Sequence, residues 1–155
     1  MISDEHRRIS ADCTKVALQL SMLVDAGRYE DALELYTDDA VHSSSVQRVE
    51  GRAALAASFA SRPASRVTRH LIFNTVIDVT GPTTATGISN VIVYRFAGAG
   101  AEMPDFPIPM IMPETVGEYH DAFRLHEGRW KLCSRRMIEV FDGRAELLTA
   151  AKRPG

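Results

Sequence analysis

A histidine and an asparagine stand four residues apart in Thr68-Arg69-His70-Leu71-Ile72-Phe73-Asn74, at the start of a strand-like run. Side chains on a strand alternate, so His70, Ile72, Asn74 and Val76 are expected on one face, and Arg69, Leu71, Phe73 and Thr75 on the other. A face that sets His and Asn among Ile and Val suits a pocket wall, mostly apolar with a few placed polar groups. At about 3.3 Å per residue the bases of His70 and Asn74 lie about 13 Å apart, so they would line one pocket at different depths. Tyr119 and Asp121 are two apart on a later strand, so both point to one face about 7 Å apart, within reach of one small ligand. A histidine, a phenol and a carboxyl in apolar surroundings are tools of proton transfer. The base takes a proton beside a carbonyl, and a carboxyl whose pKa is raised by burial suits acid work. Plainer readings account for the same residues: a core histidine satisfied by a backbone carbonyl, a pocket-lining tyrosine, and an Asp121 paired with Arg135 or Arg136. Those two arginines face opposite ways, one inside and one at the surface.

The elements that must position these groups are legible in the periodicity. Residues 5–26 read as a helix, with Ile9, Cys13, Val16, Ala17, Leu20, Leu23 and Val24 on one stripe and Gly27 as its C-terminal cap. A shorter helix is expected over 28–36, with Tyr29, Ala32, Leu33 and Tyr36 inward. Residues 40–49 read as extended, and 52–61 as a third helix closed by Pro63. His42 lies in the extended stretch and is placed to enter the pocket, but Ser43 to Ser45 beside it look like a wet edge. Four strands follow, over 67–80, 83–96, 115–126 and 129–141, dense in Val, Ile, Thr and Tyr. Two of their three joins are too short for a parallel crossover, so the sheet is expected to be antiparallel. Helices early and a strand meander late spell an α+β fold, with the first helix and the sheet covering each other around a cavity. The long join, 97–114, is rich in Met and Pro and reads equally as a lid or as an interface. Residues 144–155 begin as a short helix.

With 155 residues the chain is one domain, and with 45% hydrophobic and 25% charged residues it is neither disordered nor fibrous. A net charge of −2 without a basic cluster argues against nucleic acid as the main partner. No apolar run is long enough to span a bilayer, and the charged start lacks the apolar core of a signal peptide, so a cytoplasmic protein is expected. Two cysteines, Cys13 and Cys133, are too few for a disulfide framework. No His and carboxylate trio has metal-ligand spacing, and no phosphate loop is present.

Further short motifs add to this order of elements: Asp-x-Gly between the first two helices, Thr-Asp-Asp-Ala-Val after the second, and Gly-Arg opening the third. Thr-Arg-His-x-x-x-Asn, Gly-x-Tyr-x-Asp-x-Phe and Gly-x-Trp-Lys follow. The pattern resembles the SnoaL-like branch of the nuclear transport factor 2-like fold, also called cystatin-like, over about residues 9–142. The resemblance implies a cone-shaped barrel, a curved antiparallel sheet wrapped around N-terminal helices, and a homodimer through the outer sheet face. It also implies a site. His70 matches the general base of the dehydratases of this fold, and Asp25 the carboxylate that orients it. Tyr119 and Asp121 match the Tyr-x-Asp pattern of the penultimate strand. A second pocket histidine used by the scytalone dehydratases is absent from the strand that carries Asn90 and Tyr94. The first-helix tyrosine of the ketosteroid isomerases is absent too. Ile72, Asn74, Asn90, Tyr94, Phe123 and Arg136 are the expected ligand-lining residues. The expected function is a cofactor-free lyase or isomerase, dehydratase- or cyclase-like, acting on a small apolar ring compound. A non-catalytic binder of hydrophobic ligands and a structural dimer subunit are the alternatives.

Overall fold

The computed structural model describes residues 3–97, 102–109 and 111–143. Its elements are α1 (Asp4–Asp25), α2 (Tyr29–Leu33), β1 (Tyr36–Ser43), β2 (Arg48–Glu50) and α3 (Arg52–Ala60), then β3 (Arg66–Gly81), β4 (Thr84–Ala97), β5 (Thr115–His126) and β6 (Arg129–Asp142). The short helix expected at the start of 144–155 lies outside the described residues. No helix among the described residues is long and apolar enough to cross a membrane.

The first helix forms where its stripe and caps predict. The Ser3 hydroxyl accepts the His6 amide, Asp4 and Glu5 occupy the positive end of the helix dipole, and the buried stripe runs from Ile9 to Val24. At its far end Gly27 takes a φ of +70° in open space, so backbone conformation rather than crowding calls for glycine. This termination leaves Asp25 on the last helical residue, turned toward the sheet.

The second helix is shorter than expected. It stops at Leu33, and Tyr36, expected on its inner stripe, opens β1 instead. The Leu35 carbonyl accepts the Leu132 amide at 2.8 Å, so pairing with β6 captures the chain there, and the Tyr36 ring is buried by the strand.

The six strands form one curved sheet in the order β2-β1-β6-β5-β4-β3. The meander β3 to β6 is antiparallel, but β1 runs parallel to β6, so the sheet is mixed rather than antiparallel throughout. Short joins force antiparallel pairing only between strands adjacent in sequence; the route from β1 to β6 passes through the rest of the sheet and is long enough for a parallel pair. Helix α1 packs against β3, β4 and β6. The main core joins its stripe to Tyr36, Ala85, Phe123 and Leu132. A second, smaller cluster of Val91, Val93 and Tyr119, with Ile72 and Met137 against it, lies further along the sheet. Register shifts bend β3 between Phe73 and Val76, and the β5–β6 pair beside Gly117. There a Cβ on Gly117 would stand 2.1 Å from the Ile138 carbonyl oxygen, so the glycine of the Gly-x-Tyr motif is a close-approach residue.

Candidate active site

Asp25 and His70 meet. The His70 ring Nδ1 lies 2.6 Å from Asp25 Oδ1, and the His70 backbone amide donates to Oδ2 at 2.7 Å. The Thr68 hydroxyl donates to Oδ1 at 2.8 Å. One carboxylate at the end of α1 therefore holds three donors from two inward-facing positions of β3. Both side chains of the pair are 12% exposed. Burial alone would push the Asp25 carboxyl up. The hydrogen bonds and charge of His70, with the Thr68 hydroxyl, outweigh it and hold the group below the usual carboxylate range. With Nδ1 turned to a carboxylate, the ring presents Nε2 as its remaining proton acceptor.

His70 lines a cavity of about 250 Å³. Tyr119 from β5, Val93 and Arg95 from β4, and Met137 and Glu139 from β6 share the lining. So do His42 from β1, Arg62 beyond α3, Arg66 opening β3, and Glu114. The expectation of an apolar pocket is corrected: three arginines, two histidines and two glutamates line it, and only its floor, Val93, Tyr119 and Met137, belongs to or packs on an apolar cluster.

Tyr119 is buried, and burial pushes its phenol up against the opposing charge of Arg135, so its hydroxyl stays a neutral donor. The Arg135 guanidinium sits 4.0 Å from the Tyr119 ring centre. The Asp121 carboxylate is bound by Arg135 through two bonds, Nε at 2.8 Å and Nη2 at 2.7 Å, with side chains only 2% and 3% exposed. Asp121 is thus held by a permanent cation and does not line the cavity. Its geometry is the plainer reading, not that of an unpaired acid.

Four expected lining residues face elsewhere. Asn74 is exposed and takes a left-handed φ of 51° inside the β3 bulge. The bulge inverts the alternation, so Thr75 and Ile77 take the inward positions and Val76 is 61% exposed. Asn90 and Tyr94 lie on the outer parity of β4, whose inner residues are Ala85, Gly87, Ser89, Val91, Val93 and Arg95. Arg136 is exposed, and Arg135 is the inward member of that pair. Ile72 packs on the cluster under the cavity, and Phe123 is buried in the main core rather than in the lining.

Of the two places the sequence offers His42, the pocket and a wet edge, it takes the pocket, with Nδ1 3.4 Å from the Tyr36 hydroxyl. Burial, with the charges of Arg135, Arg62 and His70, lowers its pKa to about 4, so at neutral pH it is an uncharged hydrogen-bonding group. Arg66 and Arg95 were missed. Their signal was parity: Arg66 shares the inner face of β3 with Thr68 and His70, and Arg95 lies opposite Thr68. Of the segment 97–114, Glu114 alone among the described residues lines the cavity, while Met103, Phe106 and Met112 are exposed. Among the described residues no group of three or more His, Cys, Asp or Glu is placed to hold a metal ion.

The chain belongs to the SnoaL-like family: the model of the SnoaL-like domain matches residues 7–136. No curated protein matches it. Among solved structures it is similar to a provisionally assigned scytalone dehydratase from Novosphingobium aromaticivorans, at 19% identity and a TM-score of 0.72, covering 89% of this chain and 88% of that one. LinA is similar at 16% identity and a TM-score of 0.73, over 91% and 92% of the two chains. The β subunit of a provisionally assigned aromatic-ring-hydroxylating dioxygenase, also from Novosphingobium aromaticivorans, is similar at 20% identity and a TM-score of 0.71, over 86% and 90%. At these identities the likenesses establish the fold, which other solved members describe as cystatin-like.

Proposed function

We propose that this SnoaL-like protein is a lyase or isomerase of small ring-containing carbonyl compounds, dehydratase- or cyclase-like, that works by proton transfer through His70. The observation that carries the reading is the Asp25–His70 contact at the wall of a cavity. In this reading Nε2 takes a proton from the carbon beside the carbonyl. The Asp25 carboxylate stabilises the imidazolium as it forms. The neutral Tyr119 hydroxyl donates a hydrogen bond to the carbonyl oxygen as it gains charge. The imidazolium then returns its proton: to another carbon, which gives isomerisation, or to a departing hydroxyl, which leaves as water. The family, and the likeness to a scytalone dehydratase, support this class of reaction.

The test is a panel of ring-containing β-hydroxy ketones and β,γ-unsaturated ketones, followed by the ultraviolet absorbance of the conjugated product. His70→Gln is expected to lower turnover about a hundredfold or more while the protein stays folded. Full turnover by His70→Gln would sink the mechanism.

A second reading, a non-catalytic subunit, is favoured by the likeness to a dioxygenase β subunit and by the outer sheet face, where Leu71, Phe73, Val76, Ile88, Val140 and Phe141 are exposed. It calls for no product from any panel member and a second chain recovered in stoichiometric amount.

A further inference from the structure

We infer that the ligand of this cavity carries a carboxylate, gripped edge-on by Arg66 and Arg95 beside His70. The inference rests on the cavity being the ligand site, as proposed above, and adds the chemical class of what enters it: a ring-bearing carboxylic acid.

Three observations carry it. The first is charge. Arg62 from beyond α3, Arg66 from β3 and Arg95 from β4 come to one cavity, against two lining carboxylates. Glu114 is taken by Arg95, whose Nη1 lies 3.0 Å from its carboxylate, and Glu139 accepts the Ser45 amide at 3.3 Å. The remaining nearby carboxylate, Asp25, is committed to His70 and Thr68.

The second is unmet hydrogen bonding. The Nε atoms of both Arg66 and Arg95 are buried and have no hydrogen-bond partner among the described residues. Buried polar groups are nearly always paired, so two unpaired donors on side chains that line one cavity point to an acceptor that a turn of either side chain would bring into reach. Arg135 shows what the same edge of a guanidinium does in this chain: Nε and Nη2 together grip Asp121. A planar anion with two oxygens is the matching shape. Arg62 has its guanidinium engaged by two aromatic faces, 5.3 Å from the Phe59 ring centre and 5.7 Å from that of Tyr29, and adds charge to the lining.

The third is register. Thr68 pairs with Arg95 and His70 with Val93, while Arg66 is paired with Ala97. Arg95 is thus one inward step from the position facing His70, and Arg66 two inward steps from His70 along its own strand. Each step is about 7 Å at the backbone. All three residues line the same cavity, so a carboxylate on the arginine edges leaves the rest of the ligand on the side of the His70 ring.

Matched aryl acid and amide pairs test this: benzoate against benzamide, and 1-naphthoate against 1-naphthamide. Binding would be followed by titration calorimetry at fixed ionic strength and by the NMR signals of the arginine Nε–H groups and the His70 ring. The acids are expected to bind about tenfold tighter than the amides or better, and to shift the arginine and His70 signals together. Arg66→Gln is expected to remove that preference, and Arg66→Lys, which keeps the charge without the fork, to restore part of it. Amides that bind as well as acids, with the His70 signal moving, would overturn the inference and leave the cavity reading standing. If no member of either pair shifts the His70 or arginine signals, both fall. An acid preference that survives in folded Arg66→Gln and Arg95→Gln alike would also overturn it.

Discussion

Two shielded carboxylates, Asp25 at the end of α1 and Asp121 on β5, have different partners. Asp25 faces His70, and Asp121 faces Arg135. Both pairs are short and shielded. The difference is that imidazole loses its charge near neutral pH and guanidinium does not. In the proposed reaction Asp25 supports a ring that exchanges a proton with the ligand. Asp121 and Arg135 form a fixed ion pair beneath Tyr119, whose ring lies 4.0 Å from the guanidinium. Proximity of a carboxylate to the site is thus a poor guide to its role: what matters is whether its partner titrates and whether that partner reaches the cavity.

The largest effect should come from breaking the fixed pair. Arg135→Leu strands a carboxylate that is 2% exposed, and it is expected to cost about 3–5 kcal/mol in urea unfolding. Replacing both partners, Asp121→Leu with Arg135→Leu, should return much of that loss, because no buried charge is then left uncompensated. A double variant less stable than either single one would show that the pair holds the local fold by more than its own compensation.

The titratable pair should respond more mildly in stability and more strongly in chemistry. In Asp25→Asn one amide faces three donors, so at least one loses its acceptor, at about 1–3 kcal/mol. The sign of the pH effect follows from a carboxyl whose folded pKa lies below its unfolded one. Its stabilisation is present above about pH 4 and is lost as pH falls through the folded value. Asp25→Asn should remove that acid-limb loss, which acid titration followed by circular dichroism would show. Turnover of any panel substrate should fall about a hundredfold, since the imidazolium loses its counter-charge. Unchanged turnover would reduce Asp25 to a helix-end cap.

How much of this was legible differs by element. The stripe of α1 and the limits of β5 could be read because amphipathic period and a Glu-Gly turn are local signals. The Asp25–His70 contact could not, being 45 residues apart in sequence; only the resemblance to a family linked them. Asn74 was misplaced because a bulge reverses every side chain after it, and the one cue was an asparagine able to take positive φ. Strand β4 misled for another reason. Asn90 and Tyr94 were expected inside from the resemblance alone; they share the outer parity with Ile88 and Ile92, while Ala85, Gly87, Ser89, Val91 and Val93 face inward. Hydrophobicity does not choose between the faces of a strand that is apolar on both.

The smallest effect separates the two cavity histidines. His42 has a folded pKa near 4 against an ordinary value of 6.5, so protonation favours the unfolded chain. Its contribution to stability is whole above about pH 6.5, declines as pH falls toward 4, and is constant below. With water reaching the cavity, the total is about 1–2 kcal/mol, less than the shift alone implies. His42→Gln keeps a neutral partner for the Tyr36 hydroxyl and cannot titrate. It should therefore flatten the stability profile between pH 6.5 and 4 while leaving the acid limb of Asp25, which lies lower, in place. Urea midpoints measured across that range would decide. A slope that persists in His42→Gln but vanishes in His70→Gln would move the pH response to the proton-transfer pair and make His42 a bystander.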